Sequence, residues 1–106
     1  MNDIHVIITG GTIDSVWSGA HDTVIVSEHS TLPQYFEELG KNLKFPEKFT
    51  FTEVCMKDSR QISDDDRKNM IKTIEKSKAS KILVTHATFT MSDTARYFKE
   101  NLRRKD

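Results

Sequence analysis

Ile4-His5-Val6-Ile7-Ile8-Thr9-Gly10-Gly11-Thr12-Ile13 carries a strand straight into a glycine turn. Four of its first five residues are apolar and β-branched, the composition of a buried strand, and Thr9-Gly10-Gly11 follows at once as a sharp turn. Two glycines let the backbone turn tightly and approach a ligand closely. They leave amide N–H groups exposed and set the hydroxyl of Thr12 at the start of the next segment. A glycine pair after a strand is also a common structural turn, so its chemistry must be read from what the chain brings beside it. No Lys-Ser/Thr ending and no longer glycine pattern accompanies it, which separates it from a phosphate-binding loop.

Downstream, residues 14 to 29 mix Ser, Gly, His and Asp around Val24-Ile25-Val26 and read as a loop with one short strand or hairpin arm. From Ser30 to Leu39 the residues Leu32, Tyr35, Phe36 and Leu39 recur at helical spacing, with Pro33 in the first turn and Gly40 where a C-terminal cap belongs. Phe49 to Cys55 has a strand composition and ends in the polar turn Lys57-Asp58-Ser59-Arg60. Ser63 and Asp66 resemble a capping box ahead of a helix with Met70, Ile71 and Ile74 on its buried stripe. Asp64-Asp65-Asp66 then suits the positive helix N-terminus better than a metal, because adjacent carboxylates on a first turn point in different directions. Lys81-Ile82-Leu83-Val84 reads as a buried strand that ends in Thr85-His86-Ala87-Thr88-Phe89-Thr90. Met91, Ala95, Phe98 and Leu102 mark a last helix, with Thr90 and Asp93 set as its cap.

Strand, loop, helix, strand, helix, strand, helix is the order of an α/β domain with a parallel sheet and helices on its faces. Ligands of such sheets sit outside the carboxyl ends of the strands. The polar turns at Thr9 to Thr12, Asp58 to Arg60 and Thr85 to Thr90 are expected to gather there.

The 106 residues suffice for one small domain. Equal numbers of basic and acidic residues, 16 of each, remove the net field used by nucleic-acid or acidic-membrane binders. Lys99, Arg103, Arg104 and Lys105 gather near the end, but Glu100 and Asp106 interrupt them and a solvated helix terminus accounts for them. The single cysteine, Cys55, forms no internal disulfide, and the start from Met1 to Ile8 has no signal-peptide pattern, so the cytoplasm is the expected compartment. No apolar run approaches the ~20 residues needed to span a bilayer. His5, His21, His29 and His86 lack zinc-ligand spacing, so no metal is expected.

Two separated motifs, with a third turn between them, resemble the asparaginase/glutaminase family. Thr9-Gly10-Gly11-Thr12-Ile13 is similar to the family's TGGTI turn, and Val84-Thr85-His86-Ala87-Thr88-Phe89-Thr90-Met91-Ser92-Asp93-Thr94-Ala95 to its VTHGTDTMxxTA segment. Between them, Asp58-Ser59 resembles the turn that holds the amino-acid end of the substrate. The resemblance implies a three-layer Rossmann-like or flavodoxin-like, mostly parallel α/β sheet, present only in part. It implies one amino-terminal domain over residues 1–106, incomplete at its carboxyl-terminal end. It further implies Thr12 as nucleophile toward the carbon of a small carboxamide, Thr88 as the second catalytic threonine, and Gly11, Asp58, Ser59, Ala87 and Phe89 as substrate-binding residues. No cofactor is implied, and a homo-oligomer is. The pattern departs at Phe89, which stands in place of an aspartate that pairs with the substrate's α-ammonium group, so free asparagine should bind poorly. Ala87 stands in place of a glycine, and Arg60 where many members are neutral or acidic. The family's loop tyrosine has no counterpart between Asp14 and Glu28, where Trp17 and His21 are the aromatic candidates. His86 is expected to serve loop structure. The family's catalytic lysine comes from a motif beyond Asp106, and the alternative reading is a domain that keeps the fold to bind a small ligand or to assemble, without turnover.

Overall fold

The computed structural model describes residues 3–11, 15–18, 23–26, 29–43 and 48–103. Strand β1 (Asp3–Ile8) is the centre of a three-stranded parallel sheet, flanked by β4 (Lys48–Glu53) and β5 (Lys81–Thr85) in the order β4-β1-β5. A separate antiparallel pair, β2 (Ser15–Ser18) and β3 (Thr23–Val26), follows β1; β3 is the short strand expected around Val24 to Val26, and β2 is a further one. Three helices follow the alternation: α1 (Leu32–Leu43), α2 (Asp64–Lys76) and α3 (Met91–Asn101).

The period of two along β1 divides the core between the two sheet faces. Val6 and Ile8 join Leu32 in one buried cluster, with Ile4, Phe36, Phe49, Phe51 and Met56 packed against it, so α1 covers this face. Phe36 stacks on Phe49 at 5.1 Å between ring centroids and lies 5.8 Å from Phe51. Ile7 and His5 point to the opposite face, where His5 bonds the hydroxyls of Thr52 on β4 and of Ser77 just past α2, each at 2.8 Å. Val6, Ile7 and Ile8 have no exposure, which is the burial on both faces that a central parallel strand requires.

Helix α2 begins as its sequence dictates. Ser63 accepts the Asp66 backbone N–H, and the Asp66 carboxylate accepts the Ser63 backbone N–H, a complete capping box. Met70 and Ile74 are buried, while Ile71 is only half-buried.

Five expectations need correction. Helix α1 runs through Gly40 to Leu43 rather than capping at Gly40, because Leu43 extends the apolar spacing four residues beyond Leu39; the positive-φ glycines are Gly10 and Gly11. Strand β4 is Lys48–Glu53 rather than 49–55, since Val54 and Cys55 turn both N–H groups toward the Ile8 carbonyl. Leu83 is 50% exposed although β5 reads as a buried strand, because β5 lies on the edge of the sheet and α1 packs over β1 and β4. On α3 the buried residue is Thr94, not Met91 or Ala95, and Thr90 makes no side-chain capping bond, its φ of −118° and ψ of 19° lying outside the extended region that aims a cap. No described helix is long and apolar enough to cross a membrane.

Candidate functional site

The carboxyl ends of β1, β4 and β5 come together through the two glycines. Both adopt φ of +95°, which L-residues with side chains rarely tolerate. A Cβ placed on Gly10 would stand 2.5 Å from the Lys57 nitrogen, and one on Gly11 would stand 3.0 Å from both the Cβ and the nitrogen of Ala87. The turn after β1 is thus wedged between the turn after β4 and the turn after β5, with backbone in contact on both sides. The Lys57 N–H donates to the Thr9 carbonyl at 3.0 Å, and the buried Thr9 hydroxyl donates to the Thr85 carbonyl. Gly11 precedes Thr12 and Ala87 precedes Thr88. Thr12 itself lies outside the described residues, as do Ile13 and His21. Trp17 falls on β2.

Thr88 is exposed, and its carbonyl accepts the Met91 N–H at 3.4 Å as the chain enters α3. Asp58 heads a short 3-10 turn (Ser59–Gln61), its carbonyl accepting the Gln61 N–H at 2.8 Å. Its carboxylate takes the Arg60 backbone N–H at 2.9 Å and the guanidinium Nε and Nη2 at 3.1 and 3.2 Å. The Arg60 guanidinium, followed by its backbone N–H, holds the Asp58 carboxyl below the ordinary range. Phe89 is 74% exposed, and the Arg60 guanidinium lies 5.9 Å from its ring centroid.

Polar groups that periodicity does not reveal hold these turns from behind. Arg67 Nε donates to the Thr94 hydroxyl at 2.9 Å and Nη1 donates to Asp64 at 2.9 Å. Thr94 Oγ1 is 2.8 Å from His86 Nε2, and His86 Nδ1 is 2.6 Å from the Ala87 carbonyl. A carbonyl only accepts, so Nδ1 carries the hydrogen, and in the neutral imidazole the Thr94 hydroxyl donates to Nε2. The chain of donors runs from α2 through α3 to the backbone of Ala87, beside Gly11. Its signal in the sequence is a threonine and an arginine that interrupt two apolar helix faces.

Lys57 Nζ donates to Asp66 at 2.8 Å, which raises the ammonium's pKa and occupies its charge. Burial pushes the Cys55 thiol up to about 11, so it is protonated near neutrality and no nucleophile there. The buried Thr85 hydroxyl is without a hydrogen-bond partner among the described residues. Among those residues no group of three His, Cys, Asp or Glu side chains could hold a metal.

These features define a class, an α/β protein whose glycine and threonine turns meet at the carboxyl edge of a parallel sheet. Within that class the family model described as Asparaginase, N-terminal matches residues 3–105, and the chain belongs to the asparaginase family. Its fold is similar to that of the thermostable L-asparaginase from Thermococcus kodakarensis, with a TM-score of 0.67 at 20% identity over 88% of this chain. The chain spans 28% of the length of that structure. A comparison with curated proteins gives no match.

Proposed function

We propose that residues 1–106 form the amino-terminal part of an amidohydrolase site that releases ammonia from a small carboxamide, with Thr12 as the nucleophile and Thr88 as the second catalytic threonine. The observation that carries this reading is the backbone contact between Gly11 and Ala87, which draws together the two turns that bear these threonines. Attack by the Thr12 hydroxyl on the amide carbon forms an acyl-enzyme, a proton passes to the departing nitrogen, ammonia leaves, and water then hydrolyses the ester. A threonine hydroxyl needs a base for the first step, and the turn's backbone N–H groups suit the developing oxyanion. Asp58 and Ser59 orient the substrate, with Gly11, Ala87 and Phe89 lining its place. The family membership supports this assignment, and so does the resemblance of a fold neighbour whose name is L-asparaginase. A cytoplasmic, homo-oligomeric protein with no nucleic-acid partner fits the balanced charge, the lone cysteine and the family.

Ammonia release from a panel of amides, compared between wild type and Thr12→Ala, tests the proposal. Turnover in wild type and its loss in the variant are expected, since removal of a covalent nucleophile costs on the order of 10⁶ in kcat. Equal release from both proteins removes Thr12 from the mechanism.

A further inference from the structure

Phe89 presents an open aromatic face at the carboxyl edge of the sheet, 74% exposed, in the turn that also bears Thr88. An apolar ligand group brought to this turn would cover the ring and remove its area from water. The ring is also held by a neighbour. The Arg60 guanidinium lies 5.9 Å from the ring centroid while its Nε and Nη2 are fixed on the two oxygens of Asp58 at 3.1 and 3.2 Å. The Asp58 turn and the Phe89 turn are thereby joined into one platform.

Three carboxylates between the end of β4 and the start of α2 already have partners. Asp58 is engaged by Arg60, Asp66 by Lys57 and Ser63, and Glu53 by the Ser30 N–H at 2.6 Å and by His29 at 3.1 Å. A ligand ammonium arriving at Phe89 would meet a carboxylate already paired with its own neighbour and a guanidinium of like charge. A ligand ring or branched alkyl group would instead remove apolar area from water and stack on the ring, at the ~4.5–7 Å centroid spacing aromatic pairs prefer.

We infer that the site takes carboxamides whose acyl group is aromatic or bulky and apolar and carries no free ammonium, with Phe89 and Arg60 as the residues that set this preference. The inference rests on the amidohydrolase reading above and supplies its substrate class. Arg60 contributes by pinning the Phe89 ring and by cancelling the Asp58 charge, Phe89 by contact.

Equilibrium binding of phenylacetamide, acetamide and asparagine to the purified protein, followed by titration of its amide NMR signals, tests it. Phenylacetamide should bind several-fold more tightly than asparagine, within the roughly two- to tenfold that one stacked aromatic pair supplies. Phe89→Ala should weaken phenylacetamide several-fold and acetamide, which has no ring to stack, by clearly less. Arg60→Gln, which uncovers the Asp58 carboxylate, should strengthen asparagine several-fold, and an unchanged melting temperature in each variant shows that the exposed positions were altered without unfolding. Asparagine binding as tightly as phenylacetamide, or phenylacetamide indifferent to Phe89→Ala, overturns the inference while leaving the amidohydrolase reading intact. Failure of all three amides to bind overturns both.

Discussion

Gly10→Ala is the smallest substitution that should undo the assembly of the three turns. At φ of +95° a residue with a Cβ is strained by about 1–2 kcal/mol. The added methyl would also stand 2.5 Å from the Lys57 nitrogen and 2.8 Å from the Lys57 oxygen. These are backbone atoms, so no rotamer change relieves the clash and the segment after β4 must move. Overpacking of this kind adds about 1–3 kcal/mol. The sum, about 2–5 kcal/mol, is a large share of the ~5–15 kcal/mol that holds a small domain folded. Gly11→Ala has the same backbone strain, but its methyl meets Ala87 at 3.0 Å, a tight contact rather than an overlap, so it should cost about 1–3 kcal/mol. Ala87→Gly in that background removes the methyl–methyl contact and should recover roughly 0.5–1 kcal/mol, a coupling readable from a double-mutant cycle. Urea unfolding followed by circular dichroism, with slopes compared among variants, gives these differences. Gly10→Ala within about 0.5 kcal/mol of wild type, or less damaging than Gly11→Ala, would refute the wedge geometry.

Two further predictions follow from the polar groups behind the site. Burial raises the pKa of Asp66, but the Lys57 ammonium and the Ser63 N–H outweigh it and hold the group below its ordinary 3.8. A carboxyl with a lower pKa folded than unfolded contributes stability that is present above the unfolded value and lost as pH falls through the folded one. Asp66→Asn should therefore cost about 1–2 kcal/mol at neutral pH, mostly as a weakened cap, and flatten the loss of stability between about pH 5 and pH 3; parallel pH curves for the two proteins would contradict this. Thr94→Val strands the Arg67 Nε–H and His86 Nε2 and should cost about 1–3 kcal/mol, whereas Thr94→Ser should stay close to wild type. Equal unfolding midpoints for the Val and Ser variants would remove the hydroxyl from the network.

How much of this was legible in the sequence depends on how local each cause is. The strand Ile4 to Ile8, the glycine turn and the Ser63–Asp66 capping box follow from residues within a few positions of one another, and each is found as read. The parallel order follows from alternation, which constrains topology strongly. The exposure of Leu83 and the burial of Thr94 were hidden for one shared reason. Each is decided by a partner far along the chain, since an edge position in the sheet and an arginine on another helix leave no mark in local spacing. At the site, the motifs show which residues stand near the threonines. They do not show that Arg60 would lie over Phe89 with both guanidinium donors on Asp58, a contact between turns that only the folded chain brings together.

The claim beneath all of this is that the turns after β1, β4 and β5 form one ligand site. A titration of the protein's amide nitrogen–proton spectrum with phenylacetamide tests it directly, without requiring turnover. The signals of Gly10, Gly11, Asp58, Ala87 and Thr88 should move together with a single dissociation constant. Shifts confined to the groove between α2 and α3 around Lys72 and Tyr97, with the five turn signals unmoved, would contradict it.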